Sequence, residues 1–264
     1  MTEHVTIISA DTHGGGRILD YKPYLESRWH EEFEEWRAQY RNPFRDLQER
    51  APKGSARDRN WDMERRTSEQ YGDGVVAEIV FPNTVPPFFP TAQFNAPQPT
   101  ADNLERRLAG LRAHTRWLKD FCLELPEQRC GLPQIVVNDL DEAVADVQWA
   151  AANGFTSVLL PHIPPDSNLP HYFSNIYDPL WATCQELGVA LTQHGGSGVP
   201  SYGGHPATPL LQLMEVLFYA QKSMWHLILG GVFERFPNLK YVMTEQGVTW
   251  VKPALDRLDG FWNQ

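Results

Sequence analysis

At 264 residues, with a formal net charge of −10 at pH 7 and 42% hydrophobic residues, the chain can form one α/β barrel or two smaller domains. The acidic balance argues against nucleic acid as a partner, because a basic footprint is missing. No window is long and apolar enough to span a membrane. Met1-Thr2-Glu3-His4 shows no signal peptide, and Cys122, Cys130 and Cys184 are too few and too irregular for a disulfide framework or a cysteine zinc site, so a cytoplasmic protein is expected.

Val5–Ala10 is predicted to be the first strand. Residues 14–74 are polar, aromatic and irregular, with Trp29, Trp36 and Trp61; they read as a lid-like insertion with short helices near 28–40 and 62–70. Val75–Phe81 is the second predicted strand, stopped by Pro82, and a proline-rich loop follows to about residue 99. Asp102 with Glu105 has the form of a capping box. From there Leu104, Leu108, Leu111, Leu118, Cys122 and Leu125 recur at helical spacing, which predicts a long amphipathic helix.

Leu132–Val137 is the third predicted strand. Leu140, Val144, Val147 and Ala151 stripe the next helix, with Gly154 just past its end. Thr156–Leu160 is the fourth strand. Asp178-Pro179 opens a helix that Gly188 closes, and Val189–Gln193 is the fifth strand. Thr208-Pro209 opens a helix to about Leu229, Leu239–Thr244 is the sixth strand, and Val248–Asp259 begins the helix after it. Alternation of this kind implies right-handed βαβ units and a parallel sheet. Six units are visible where a closed (β/α)₈ barrel has eight. The pattern leaves an open sheet or a truncated barrel.

Three strand endings carry the chemistry: Ser9-Ala10-Asp11-Thr12-His13, Leu191-Thr192-Gln193-His194-Gly195-Gly196 and Met243-Thr244-Glu245-Gln246-Gly247. Carboxylate and imidazole gathered at the C-terminal rim of a parallel barrel suit a divalent ion such as zinc or manganese. Asp11 and His13 are two apart on an extended strand, so both side chains point to one side and can share an ion. His194 is the third candidate ligand; the glycines after it let backbone approach an ion or substrate. Glu245 is a candidate to activate a metal-bound water or move a proton. His162, after the fourth strand, is a candidate pocket residue, and His171 and His205 are candidate substrate contacts from rim loops. The plainer alternatives are a turn cap for Asp11, an ordinary loop histidine at 194, an N-cap or buried ion pair for Glu245, and a packing role for His226 on its helix. A serine hydrolase is disfavoured because no G-x-S-x-G elbow occurs.

Gly230-Gly231-Val232-Phe233-Glu234-Arg235-Phe236-Pro237-Asn238-Leu239-Lys240 resembles the G-V-F-E-R-F-P-x-L-K run of the amidohydrolase-related family, which includes the aminocarboxymuconate-semialdehyde type of decarboxylase. Tyr177-Asp178-Pro179-Leu180-Trp181 and Glu186-Leu187-Gly188-Val189 leading to His194 are similar to its fifth unit, and Ile8–His13 to its first strand. The resemblance implies a distorted (β/α)₈ barrel, here one domain over 1–264 lacking its last two units. It also implies one catalytic divalent ion, zinc first and manganese second, with Asp11, His13 and His194 as ligands. Glu245 falls where the family usually has an acid/base histidine, a departure, and the family's final aspartate ligand would lie beyond Gln264. The expected activity is hydrolysis of a small carbonyl compound or non-oxidative removal of CO₂ from a small carboxylate, with an aromatic compound among the candidates. The rival expectation is a non-catalytic remnant or fragment. Dimerisation is a family expectation.

Overall fold

A computed structural model describes residues 5–40, 58–91 and 96–263. Six strands follow one another in chain order: β1 (Ile7–Gly14), β2 (Val75–Pro82), β3 (Arg129–Gly131), β4 (Ser157–Leu159), β5 (Ala190–His194) and β6 (Tyr241–Thr244). They form two parallel three-stranded sheets, β1-β2-β3 and β4-β5-β6. The sheets meet at a seam where Leu132 donates to the Val80 carbonyl (3.1 Å), Leu159 to the Pro133 carbonyl (2.7 Å) and Ile135 to the Leu159 carbonyl (3.2 Å). Gln134 bridges Leu159 there. The third strand differs from the expected Leu132–Val137. The regular ladder covers Arg129–Gly131, and the predicted stretch continues it irregularly, because Pro133 has no N–H to give. This is the parallel α/β wall of a TIM-type barrel. Among the described residues, the outer edges of β1 and β6 pair with no further strand.

The first strand runs past the predicted Val5–Ala10 to Gly14. Its register against β2 slips: Ser9 faces Glu78 while Thr12 faces Val80, so an extra residue is taken up at Ala10-Asp11. Such a bulge bends a strand and re-aims its side chains.

Eight α-helices accompany the strands: α1 (His30–Gln39), α2 (Met63–Gly72), α3 (Leu104–Leu123), α4 (Leu140–Ala152), α5 (Asp178–Leu187), α6 (Thr208–Leu229), α7 (Val232–Arg235) and α8 (Val251–Trp262), counted among the described residues. The main core lies between sheet and helices: Val80, Ile135, Val158 and Leu191 pack with Leu118, Phe121, Val147, Leu180 and Trp181. Each such burial is worth about 1.5–3 kcal/mol. A second, smaller cluster of Ile79, Phe81, Leu132 and Leu159 fills the inner side of the wall. Along β2, odd positions therefore face inward and even positions outward.

Helix ends follow local chemistry. Asp139 caps α4 by accepting from the Asp141 and Glu142 amides, and Gly188 ends α5 in the left-handed conformation. The predicted capping box at α3 does not form. Asn103 is the cap residue, and its side chain accepts from the Thr100 amide (3.0 Å) instead. The last helix starts at Val251, not Val248.

The expected helices of the 14–74 segment are α1 and α2; residues 41–57 lie outside the described residues. Leu25 and Phe33 of this segment pack with Phe88, Ala109 and Ala113, fastening it to α3. The C-terminal helices are less covered. Leu210, Met214 and Phe218 on α6 are 67%, 81% and 71% exposed, and α8 buries none of its residues. Among the described residues, no helix is long and apolar enough to cross a membrane.

Candidate metal centre

The inward alternation of β1 carries Asp11 and His13 to the inner face at its C-terminal end, and β5 carries His194 to the same place. Potential ligand atoms of all three lie within 4.8 Å of one another, so the structure brings these three candidate residues together. Asp11 Oδ1 is 3.4 Å from His13 Nε2 and 3.4 Å from His194 Nε2. Those gaps are long for hydrogen bonds. They match the separation of about 3.4 Å between neighbours in a tetrahedral shell of about 2.1 Å radius, the length of a zinc–imidazole or zinc–carboxylate bond.

Second contacts set the ring tautomers. The Gly195 carbonyl, 2.6 Å from His194 Nδ1, can only accept, so Nδ1 carries the proton and Nε2 presents its lone pair to Asp11 and His13. His13 and His194 lie edge to face with centroids 5.0 Å apart, and Phe81 packs against His194 at 4.8 Å. Burial and the neighbouring His194 depress the His13 pKa against the opposing pull of Asp11, which favours the neutral, ligating form. One carboxylate and two imidazole nitrogens converging in this way form a donor set that fits one divalent ion.

Beneath these three candidate ligands, outside the strand wall, lies an ion cluster that the sequence pattern does not announce. Glu78 on β2 is buried and receives Arg66 Nε at 2.9 Å, Arg129 Nε at 3.0 Å, Gln70 Nε2 at 2.6 Å and the Thr12 hydroxyl at 2.8 Å. Burial pushes the Glu78 pKa up, but Arg66's hydrogen bond and charge outweigh it, with help from Thr12 and Gln70, and the carboxyl stays below its ordinary value. Arg66 Nη1 also donates to the His13 carbonyl at 2.7 Å. The available signal was the lone glutamate inside the apolar run Val75–Phe81.

Glu245 follows β6 with φ 55, the left-handed region that non-glycine residues seldom occupy. Its Oε2 is 3.4 Å from His194 Nδ1, and the side chain is 62% exposed. The Gly195 amide donates to the Thr244 carbonyl at 2.8 Å, and a Cβ at Gly195 would clash with the Glu245 carbonyl. Glycine is therefore needed where the β5 and β6 ends close on each other.

His162 is 6% exposed, and its Nε2 donates to the His194 carbonyl at 2.9 Å. Burial above all lowers its pKa to about 4; the charges of His194 and Lys222 add to this and the carbonyl contact opposes it. A cavity of about 1120 Å³ is lined by His162 and His194 together with Asn138, Leu159, Gly198 and Pro99. His171 and His205 do not line it. His171 stacks near His226 (4.9 Å between centroids) and Phe173, and His205 is exposed, its Nδ1 accepting from the Ala207 amide.

A sequence profile of the amidohydrolase family matches residues 28–264. Among curated proteins no sequence matches. Solved structures share the fold. An amidohydrolase from Mycobacterium avium subsp. paratuberculosis K-10 is 18% identical with a TM-score of 0.68, over 99% of this chain and 78% of its own. The 5-carboxyvanillate decarboxylase of Novosphingobium aromaticivorans, solved with manganese and 4-hydroxy-3-methoxy-5-nitrobenzoic acid, is 17% identical (TM-score 0.61, 90% of this chain and 64% of that one). A dihydroxybenzoic acid decarboxylase from Polaromonas sp. JS666, with manganese and the inhibitor 2-nitroresorcinol, is 18% identical (TM-score 0.58, 90% and 64%). The chain thus spans about two thirds of the length of both decarboxylases. By its profile match over most of its length, the chain belongs to the amidohydrolase family.

Proposed function

We propose that the protein is a metal-dependent hydrolase or carboxy-lyase acting on a small aromatic carboxylate, with manganese or zinc as its ion. The observation that carries this is the convergence of Asp11, His13 and His194, from β1 and β5, at one point beside a large cavity. The ligands named in the two decarboxylase structures, an aromatic acid and a resorcinol, support the substrate class.

Asp11 Oδ1, His13 Nε2 and His194 Nε2 would hold the ion. When bound, it supplies Lewis-acid polarisation of a carboxylate or carbonyl oxygen and a lowered pKa for water. Glu245, beside His194, moves a proton at Oε2. In the carboxy-lyase direction the ring-to-carboxyl C–C bond breaks, its electron pair stays on the ring carbon, and a pocket acid delivers the proton there as CO₂ leaves. His162 is neutral at pH 7, since its pKa lies near 4, and its Nε2–H is committed to the His194 carbonyl. It therefore positions His194 and offers only its Nδ1 lone pair to the cavity. The exposed His205 and the displaced His171 remain candidates for substrate contact only through movement of their loops.

The test begins with elemental analysis of the dialysed chain beside His13→Ala and His194→Ala. It then follows CO₂ release and loss of the starting acid with 5-carboxyvanillate and dihydroxybenzoates. About one ion per chain, lost in both variants, with turnover of an aromatic acid, is the expected result. A parent chain without metal and without turnover after manganese loading would overturn the proposal.

A further inference from the structure

Two elements wall the cavity side by side: α6, through Gln212 and Val216, and the segment between β4 and α5, through Asp166 and Asn168. Further along the same two elements, outside the cavity lining, three basic side chains gather. Lys222 and His226 are four apart on α6, so both project from one face of the helix. His171 lies against that face, with its ring centroid 4.9 Å from that of His226. Its segment is held there from both sides. The next residue, Tyr172, is buried and donates its hydroxyl to the Pro161 carbonyl at 2.5 Å, while a Cβ at Gly230 would lie 2.7 Å from Phe173 Cα.

The three basic groups meet no acceptor. Among the described residues, no carboxylate or carbonyl pairs with the Lys222 ammonium or with either ring, and His171 Nδ1 is buried without a partner. Asp166 is the acid whose charge Lys222 feels, from beyond pairing distance, and it already accepts from the Ser201 amide at 2.9 Å. Burial lowers the Lys222 pKa against that pull. Burial and then the charge of Lys222 lower His171; burial, Lys222 and His171 bring His226 to about 4. His162 feels Lys222 too, from the cavity side. Nitrogen donors set against one another without an acid are relieved by an anion. A divalent cation suits the place poorly, because no carboxylate is at hand and Lys222 repels it.

We infer that Lys222, His171 and His226 form a binding site for a small tetrahedral oxyanion, a phosphate or sulfate group, free or carried as a monoester, that clamps the β4–α5 segment onto α6. The site is separate from the metal centre and does not depend on the activity proposed above. Lys222 Nζ supplies the charge, and each imidazole donates an N–H. The bound anion raises the ring pKa values, so the occupied site holds more protons than the empty one and affinity rises as pH falls. Occupancy also fixes the spacing of two cavity walls.

Sulfate is the first probe, because its charge is constant between pH 5.5 and pH 7.5. The zinc-loaded chain, labelled in its histidine rings, is titrated with sodium sulfate by NMR against sodium chloride of equal ionic strength. The ring signals of His171 and His226, assigned through His171→Gln and His226→Gln, should move saturably while those of His13 and His194 stay still. Binding should be at least about threefold tighter at pH 5.5 than at pH 7.5. Lys222→Met should weaken it by about tenfold or more, the loss of a charged hydrogen-bond partner. The parent's ring signals decide the matter even where that variant does not fold. Inorganic phosphate and glycerol 3-phosphate then separate the sources: a tighter ester marks a monoester site, an equal or weaker one a free-ion site. Still rings at 171 and 226, movement confined to His13 and His194, affinity without pH dependence, or affinity unchanged in a folded Lys222→Met would each overturn the inference.

Discussion

Arg66 donates one guanidinium N–H to the main-chain carbonyl of His13 at 2.7 Å while its Nε holds Glu78 at 2.9 Å. The same carboxylate takes the hydroxyl of Thr12, so the side chain of one residue and the backbone of the next are tied to a single buried charge cluster. The bulged end of β1 thus owes its pose to groups on the far side of the strand. Glu78→Gln and Thr12→Val should each weaken manganese affinity by about 10- to 100-fold, the usual cost of losing an outer partner of a ligand. Competition with a metal-sensitive dye measures this. Arg112→Met is the control, because Arg112 pairs with Asp146 (2.7 Å) and Glu142 away from the ligands and should lower Tm without moving metal affinity.

Gly195→Ala should damage the rim where β5 and β6 meet. The new methyl would press on the Glu245 carbonyl. A loss of about 1–3 kcal/mol in unfolding free energy is expected by urea titration, as for other overpacked sites. Manganese affinity should fall with it, because the Gly195 carbonyl also fixes the His194 tautomer.

Glu245 combines an exposed carboxylate with a left-handed backbone. Glu245→Gln should retain the ion and lose turnover by about 10²- to 10⁴-fold, the range for a proton-transfer group. Glu245→Gly should lose turnover equally, yet gain up to about 1 kcal/mol of stability by relieving the backbone. Paired activity and denaturation curves separate the two effects.

Acid should destabilise the metal-free chain well above the carboxylate range. Burial brings both His114 and His162 down to about 4 from an ordinary 6.5. The unfolded chain takes up these protons near pH 6.5 and the folded chain only near pH 4. The folded state therefore binds fewer protons in that window. Its stability is full above pH 6.5 and falls as pH drops towards 4, by on the order of 3 kcal/mol for each histidine. Urea midpoints at pH 7.5 and pH 4.5 check this, and His114→Phe should flatten the slope.

The residue order shows how much of this was legible. Apolar runs ending in Asp11–His13, His194 and Glu245 mark β1, β5 and β6 and the three candidate ligands, because carboxylates and imidazoles at strand ends leave a local pattern. The apolar run predicts the third strand over Leu132–Val137, a few residues past the regular ladder, because that run is apolar enough for a strand while Pro133 decides the hydrogen bonding. His171 read as a rim residue but packs on His226, a pairing between distant segments that no spacing encodes. The Arg66–Glu78–Arg129 cluster joins α2, β2 and β3, and only the odd placement of Glu78 hinted at it. Thr208-Pro209 marks the start of the helix over 208–229, but nothing in the sequence tells that Leu210, Met214 and Phe218 stay exposed.

The seam at Pro133 has a mechanical consequence. Asp11 and His13 belong to one three-stranded sheet and His194 to the other, and among the described residues one isolated bridge, Gln134 to Leu159, links the sheets. An ion held by all three would add a polar tie between two sheets already joined by backbone hydrogen bonds and a shared apolar core. Loading it would close the long stretch of chain between β1 and β5 and raise the stability of the folded state, while a chelator would remove that increment. The ligand triad would then act as a latch on the architecture as well as a place for chemistry.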